Sequence, residues 1–239
     1  MHMQQRLSFL AAAFVAVLLC GCAGRSTAPR EMSAAQSIVD QATAVVRKQL
    51  EGPNREAVEE MIRDAQGMLI IPAMGNVSFF FSVGGGNAIA MARTPDGWSG
   101  PAFLSKGTGG VGLQAGVTRT SGIIFYMSGD DLRYVLDTGV VFQGNANVTV
   151  VDSDVEFNRT AEFQETGDVV FVGDTTGLYA GVALNGGGLS DRTGLNAVYH
   201  GVEDGSPENV LYHVPTVPEG VRPLRDMLDK AEKDAGHLE

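Results

Sequence analysis

Apolar residues recur at helical spacing in two stretches near the start of the chain and in one near its end. Ser33 and Gln36 form a capping box, Gly52-Pro53 ends the first stretch, and Asn54 is placed to cap the second. The apolar positions are Ala35, Ile38, Val39, Ala42, Val45 and Val46, then Val58, Met61, Ile62 and Ala65, and finally Leu224, Met227, Leu228 and Ala231. These patterns predict two N-terminal helices and one C-terminal helix.

Between these helices the pattern changes to that of β-strands. The strand candidates are residues 68–71 (ended by Pro72), 77–83, 110–117, 123–127, 168–172 and 178–184. In two of them apolar residues occupy every second position, the period of a strand. One short helix, closed by Gly139, is predicted over residues 130–136. The sequence therefore predicts an α+β fold, with N-terminal helices on a glycine-rich, largely antiparallel, strongly twisted or barrel-like β-sheet and a C-terminal helix.

The first part of the chain has the pattern of an export signal. A short apolar run, residues 7–19, follows the single basic residue Arg6. A permanent membrane span needs about 20 apolar residues, so this run predicts a cleaved signal peptide. Its end, Leu19-Cys20-Gly21-Cys22, resembles the bacterial lipobox, whose last cysteine is acylated and becomes the new N-terminus. We expect residues 1–21 to be a lipoprotein signal peptide and Cys22 to be the lipid anchor.

Two alternatives to this anchor stay open. Cys20 is a rival, but it would place the bulky Leu19 at the cleavage position; the other alternative is an ordinary leader with incidental cysteines. Residues 22–32 are mostly small and polar and predict a flexible tether, which leaves residues 33–239 as a single domain. Since no aspartate follows Cys22, we expect an outer-membrane, periplasm-facing, lipid-anchored protein.

The net charge and the cysteine and glycine content exclude several classes of function. The formal charge is −11, and it becomes −12 without the leader, which contains Arg6 and no acid. This balance argues against nucleic acid as a partner and against simple electrostatic adhesion to anionic lipid. Both cysteines lie in the leader region, so the mature chain can form no disulfide and has no free thiolate for catalysis. The 31 glycines lie within apolar segments, which indicates closely packed or sharply bent strands.

The chain lacks the usual signatures of an enzyme. His200, His213 and His237 have no metal-ligand spacing, and residues 109–116 fit neither a dinucleotide fingerprint nor a P-loop. Asp152, Asp154 and Glu156 suggest calcium, but the glycine and distal glutamate of a calcium loop are missing, so solvated carboxylates are the favoured interpretation. We therefore expect a non-catalytic protein without metal or cofactor.

Five strings in register resemble the SYLF family of lipid-binding proteins. They are residues 65–72 (AQGMLIIP), 84–86 (GGG), 97–103 (GWSGPAF), 110–116 (GVGLQAG) and 177–184 (GLYAGVAL). The resemblance runs from about Ile38 to Gly201. The chain departs from the family pattern between residues 148 and 174, where a short Ala-Gly-Pro segment with a basic residue is replaced by acidic sequence.

The resemblance implies binding to membrane lipid, with phosphoinositides as ligands of eukaryotic relatives and actin as a partner of fungal ones. A basic N-terminal segment is linked to lipid contact in relatives, and its counterparts here are Arg47, Lys48, Arg55 and Arg63. Acids outnumber bases in this segment, so a solvated helix face is the competing interpretation. Trp98, the only tryptophan, is either a membrane-interface side chain or, as we favour, a core residue at a strand end.

Two functions follow as expectations. The first is a tethered domain that binds phospholipid or another lipid through apolar surface. The alternative is a structural or protein-interaction module of the cell envelope, with an envelope protein as partner and no lipid contact beyond its own anchor. Exposure of Phe79, Phe80 and Phe81 would favour the first function, and their burial would favour the second.

Overall fold

The computed structural model of the protein describes residues 28–78, 81–111, 116–141, 148–152, 169–176 and 188–236. The helices are α1 (Ala28–Glu51), α2 (Arg55–Asp64), α3 (Gly129–Thr138), α4 (Thr193–His200), α5 (Pro207–Tyr212) and α6 (Arg222–Ala235), with a 3-10 helix at Glu219–Val221. The strands are β1 (Gly67–Ser78), β2 (Phe81–Thr94), β3 (Gly97–Trp98), β4 (Ala102–Val111), β5 (Gly116–Tyr126), β6 (Val148–Asp152), β7 (Val169–Thr176) and β8 (Leu189–Asp191).

These strands form one open, mostly antiparallel sheet. Their order is β6-β7-β5-β1-β2-β4-β8, with β3 paired to β2 at the side. The pair β6–β7 is parallel, and the other described pairs are antiparallel. The predicted α+β fold with a largely antiparallel sheet is confirmed. The described strands do not form the barrel-like version, because β6 and β8 lie at opposite ends of their order and no described strand closes the sheet on itself.

Side chains alternate between the two faces of the sheet and build two cores. On one face, Ile70, Ile89, Phe103 and Phe125 pack against α1, α2, α4 and α6. On the other face, residues such as Leu104 pack against α3 and α5. Both faces are therefore covered by helices, which explains why several strands are apolar at consecutive positions rather than at alternate ones.

Close approach of β5 and β7 accounts for two of the glycines within strands. Gly122 and Gly173 lie opposite each other in the register of these strands. A Cβ atom added at Gly122 would lie 2.7 Å from the ring of Phe171, and one at Gly173 would lie 2.5 Å from it. The predicted role of glycine in close strand packing is confirmed at this pair.

The predicted end of the first strand at Pro72 is wrong. β1 continues to Ser78, and its register with both neighbours shifts around Pro72, between Ile70 and Ala73 toward β2 and between Ile71 and Met74 toward β5. A bulge removes proline from the hydrogen-bonded ladder, so the strand continues past it. The single strand predicted over residues 77–83 is also wrong, since Ser78 and Ser82 belong to two paired strands.

The helices differ from the prediction at three places. α1 begins at Ala28 rather than after Ser33, so residues 28–32 of the predicted tether are helical. Proline fits the first helical turn, where its missing N–H needs no partner, and Pro29 occupies that turn. Two short helices, α4 and α5, were not predicted.

Several predictions fall outside the described residues. They concern Cys22 and the leader, Phe79 and Phe80, the strand at residues 178–184, and Asp154 and Glu156. The backbone of Phe81 lies in β2, but its side chain is not among those described. Over the ranges that the structure describes, no helix is both long and apolar enough to cross a membrane.

Candidate functional site

An open apolar groove lies where the start of α1 meets the end of α4. Its volume is about 530 Å³. Every residue that lines it is apolar or glycine: Ala28, Pro29, Met32, Ala197, Val198, Gly201 and Val202. Met32 is 41% exposed and is one of two large hydrophobic side chains, with Val140, that are exposed in the described part of the chain. The groove is therefore apolar surface open to the solvent.

Gly201 shapes one wall of the groove. It ends α4 in the left-handed conformation (φ 66°), and its N–H donates to the carbonyl of Ala197. The N–H of Val202 donates to the same carbonyl at 3.1 Å. This tight glycine-ended turn brings Val202 back against the last turn of α4, beside Val198.

A hydrogen-bonded tyrosine joins α4 to α1 and to the sheet. The Tyr199 hydroxyl donates to the side-chain oxygen of Gln36 at 2.9 Å, and the Gln36 amide donates to the carbonyl of Gly220 at 3.0 Å. The Tyr199 ring meets Phe103 edge to face, with centroids 5.0 Å apart. Burial raises the pKa of Tyr199 to about 12, so the hydroxyl remains a donor at neutral pH. These contacts fix α4, which supplies one wall of the groove, against α1 and the sheet.

His200, the last residue of α4, contacts the backbone just before β4. Its Nε2 lies 2.8 Å from the carbonyl oxygen of Pro101, and burial lowers the pKa of the imidazole. Since a carbonyl only accepts, Nε2 must carry the proton in this contact. No group of three or more metal-ligating side chains occurs in the part of the chain that the structure describes.

Comparison with known proteins identifies the family. A family model described as "Ysc84: Las17-binding protein actin regulator" matches residues 107–231, which is more than half of the chain. The chain belongs to this family. The expected SYLF resemblance is thereby confirmed, because the Ysc84 and SYLF names denote the same domain.

Relatives of this Ysc84-family chain are larger proteins. It is 25% identical over 180 residues to SH3 domain-containing YSC84-like protein 1 of Xenopus laevis, covering 74% of this chain and 53% of that protein. It is 28% identical over 176 residues to Protein YSC84 of Saccharomyces cerevisiae, covering 71% and 36%. The chain thus spans about half the length of the first relative and about a third of the second. No solved structure matches it significantly.

Three of the four basic residues predicted to bind lipid headgroups form ion pairs with carboxylates of the domain. Lys48 Nζ lies 2.6 Å from the carboxylate of Asp174. Arg55 pairs with Glu59 at 2.6 Å and Asp234 at 3.3 Å. The carboxylate of Asp174 therefore compensates the charge of Lys48 within the domain.

Of the other two basic residues, one is paired and one is exposed. Arg63 pairs with Asp64 at 2.9 Å, and Arg47 is exposed with no ion pair to any residue in the described ranges. Fifteen residues of helix separate Arg47 from Met32, about 22 Å at 1.5 Å per residue. The structure therefore does not bring the predicted basic residues to the groove.

Trp98 lies in the core, as the favoured interpretation predicted. It is fully buried, and the guanidinium of Arg93 stacks on it 4.4 Å from the ring centroid. Its Nε1 has no hydrogen-bond partner within the described ranges. With no exposed surface, the side chain offers nothing to a membrane in this conformation, and the membrane-interface interpretation is set aside.

The burial of Trp98 predicts a fluorescence result. The emission of this single tryptophan should stay unchanged when phospholipid vesicles are added, because the indole is already out of water. Trp98→Phe, which removes the only tryptophan, should fold with a lower thermal midpoint, because the smaller ring leaves a cavity in the core. A blue shift on vesicle addition, or quenching by brominated lipid, would show that the indole reaches the bilayer.

The groove could not be predicted from the sequence, because its walls come from helices far apart in the chain. Met32 and Val198 come from distant helices, and α4 escaped the prediction. The available signal was Met32 itself, an apolar residue just before the capping box and off the apolar face of the predicted helix.

Proposed function

We propose that this Ysc84-family chain is a bacterial lipoprotein, acylated at Cys22 and held on the periplasmic side of the outer membrane. Its domain is non-catalytic and contacts phospholipid through the apolar groove. The lipobox-like string before Cys22 supports the anchor. The family membership supports a binding role rather than a chemical one, since the family description names a binding protein and regulator.

The observation that carries the proposal is the position of the groove. Ala28 and Pro29, which line it, follow Cys22 by only a few residues. Even a fully extended chain from Cys22 to Ala28 spans only about 20 Å. An acylated Cys22 would therefore hold the groove at the bilayer surface, with its open side available to acyl chains.

The charges of the domain favour apolar over electrostatic contact. The mature chain is strongly acidic, and Lys48, Arg55 and Arg63 are paired with carboxylates. Anionic lipid would be repelled by the net charge and would have to displace these ion pairs. Met32 is 41% exposed, so burial of its remaining surface would contribute about 1 kcal/mol to membrane binding.

A vesicle experiment tests this proposal. A form that begins at Gly24 should co-sediment with neutral phosphatidylcholine vesicles, and binding should persist from 50 to 500 mM NaCl, where exposed charges are screened. Met32→Asp should weaken binding at least tenfold, since about 1.4 kcal/mol corresponds to a tenfold change. Val140→Asp is the matched control, because Val140 is 44% exposed and lies outside the groove.

The other outcomes have defined meanings. Binding that disappears with salt and with Arg47→Glu would place the contact at the basic residues instead of the groove. Absence of binding to any vesicle would contradict the lipid-contact part of the proposal and leave Cys22 as the tie to the membrane.

A second candidate function rests on the family description. The matching family is described as a Las17-binding actin regulator, and the relatives include LAS seventeen-binding protein 3 of Saccharomyces cerevisiae. These relatives are named for a protein partner. We therefore keep an envelope protein-interaction module as the alternative, in which the groove receives a protein side chain rather than lipid.

A further inference from the structure

The lining of the groove between α1 and α4 suits a hydrocarbon chain and offers nothing to a lipid headgroup. None of its seven lining residues has a polar side chain. On the α4 wall, the carbonyl of Ala197 already accepts from the N–H groups of Gly201 and Val202. The volume of about 530 Å³ lies within the range of about 300–1,000 Å³ that small-ligand pockets have. The chemistry of the groove therefore selects an acyl chain.

The charges beside the groove disfavour an anionic lipid. Val202 lines the groove, and the exposed acids Glu203 and Asp204 follow it directly. On the α1 side, Arg30 and Glu31 follow the lining residues and carry opposite charges. The surroundings are therefore acidic, and a free fatty acid or an anionic phospholipid would be repelled at the α4 end. An acyl chain joined to an uncharged group is favoured.

The groove begins where the segment after Cys22 ends. Ala28 is the first residue that the structure describes, and it lines the groove. For the six residues from Cys22 to Ala28, a flexible chain has a root-mean-square length of about 13 Å and a limit of about 20 Å. The acyl chains of one bilayer leaflet span about 15 Å, half of the hydrocarbon core. An acyl chain on Cys22 can therefore reach the groove.

A chain attached through so short a segment has an advantage over free lipid. Linkage makes its binding intramolecular, with an effective concentration in the millimolar range for a short flexible linker. A thioether-linked acyl glycerol also brings no phosphate or carboxylate toward Glu203 and Asp204. Both effects favour the anchor of the same molecule as the occupant.

We infer that the groove holds one acyl chain of the protein's own anchor, while the remaining chain or chains of that anchor stay in the bilayer. This cis occupancy rests on the proposed function, because it needs an acylated Cys22, and it names the lipid that fills the groove in the anchored protein. It would hold the start of α1 and the end of α4 against the bilayer, so the domain would face the membrane in one orientation. A form that begins at Gly24 lacks this chain, and its groove stays open to vesicle lipid.

Photo-cross-linking tests cis occupancy on the mature lipoprotein. A Gram-negative host is fed a fatty acid that carries a diazirine, and the protein is purified in detergent and reconstituted into unlabelled phosphatidylcholine vesicles. After irradiation, trypsin separates the lipopeptide 22–25 from the peptide 193–225, which contains all of α4 and Val202. Mass spectrometry should detect a cross-link between these two peptides. Mixing ¹⁵N-labelled with unlabelled protein should show that both peptides come from the same molecule.

Two variants close the groove in different ways. Met32→Asp should lower the cross-link yield about tenfold or more, because its carboxylate would lose hydration beside the acyl chain without gaining a partner. Ala197→Phe should have the same effect by filling the groove with an attached ring, although the lining stays apolar. Val140→Asp is the matched control, since Val140 is exposed outside the groove, and it should cross-link like the wild type. Thermal midpoints show that each variant is folded.

A second label separates the anchor from the surrounding bilayer. Phosphatidylcholine that carries the diazirine is placed in the vesicles, and the protein itself is unlabelled. It should label peptide 193–225 in the form that begins at Gly24, whose groove is empty. The acylated protein should show at least a tenfold weaker label on this peptide, because its own chain already fills the groove.

The outcomes distinguish cis occupancy from the anchor on which it rests. The mass of lipopeptide 22–25 before irradiation reports whether Cys22 is acylated. An acylated Cys22 without a cross-link to peptide 193–225 overturns cis occupancy alone, and an unmodified Cys22 overturns the anchor as well. Cis occupancy is also overturned by cross-links between different copies only, by wild-type yields in both groove variants, or by equal phosphatidylcholine labelling of the acylated and untethered forms.

Discussion

Replacing Arg93 with alanine should lower the free energy of unfolding by about 3 kcal/mol, because its half-buried guanidinium makes several charge-assisted hydrogen bonds that alanine would remove. Arg93 lies near the end of β2, and its guanidinium joins three parts of the fold. NH1 lies 2.6 Å from the carboxylate of Glu232 on α6. The guanidinium also stacks on the ring of Trp98.

The same guanidinium also caps the C-terminal end of α2. It donates to backbone carbonyls that the last turn of the helix leaves without intrahelical partners: Ile62, Arg63 and Ala65. Alanine would remove these charge-assisted hydrogen bonds and leave the carbonyls partly buried without partners. Loss of one side chain would therefore loosen α2, α6 and the Trp98 region together.

Thermal unfolding measures this effect. For a domain of this size about 3 kcal/mol corresponds to a drop of roughly 6–12 °C in the midpoint. Arg222→Ala is the matched control, because Arg222 and Glu219 form an ion pair that is exposed on both sides and should contribute at most about 1 kcal/mol. Equal midpoints for the Arg93 and Arg222 variants would contradict the role assigned to Arg93.

Replacing Cys22 with alanine should remove nearly all of the protein from the outer-membrane fraction of a Gram-negative host. The proposed anchor carries two or more acyl chains, and each buried methylene contributes about 0.8 kcal/mol, so no single side chain of the domain can replace it. Labelled palmitate should be incorporated into the wild type and be absent from Cys22→Ala. Cell fractionation with immunoblotting measures the location, and the label on the immunoprecipitated protein measures the acylation.

Cys20→Ala is the matched control for the anchor. It removes the other cysteine of the leader and should leave both palmitate and fractionation unchanged. If Cys20→Ala loses the label instead, the anchor is Cys20. If both variants stay acylated and membrane-bound, the lipobox interpretation of this segment is contradicted.

Local signals explain which elements the sequence predicts well. The end of α1 at Glu51, the start of α2 after Asn54 and the glycine that closes α3 depend on a few neighbouring residues. The same holds for α6, whose apolar face is regular. These signals are local, since glycine, proline and the apolar spacing act within one or two helical turns, so the tertiary fold need not be known.

Other features depend on contacts that the sequence does not display. Pro72 breaks a strand by local rules, but the neighbours of β1 accept it as a bulge. The short helices α4 and α5 depend on packing against the sheet, since helices of this length are marginal alone. The groove needs α4 to lie beside the start of α1, and no local pattern contains that information.

The basic residues show the same limit for function. Arg55 is in the predicted helix, but its partner Asp234 comes from the far end of the chain. Lys106 shows the limit as well, because the preceding residues 102–104 are apolar at consecutive positions and no alternation marks the lysine as buried.

The central claim is that an acyl chain on Cys22 tethers this domain to the membrane. The most direct test is the intact mass and N-terminal fragment mass of the mature protein, extracted from the outer membrane of a Gram-negative host. We expect an N-terminus at Cys22 that carries diacylglycerol on its sulfur. A mature N-terminus at any other residue, or an unmodified Cys22, would contradict it.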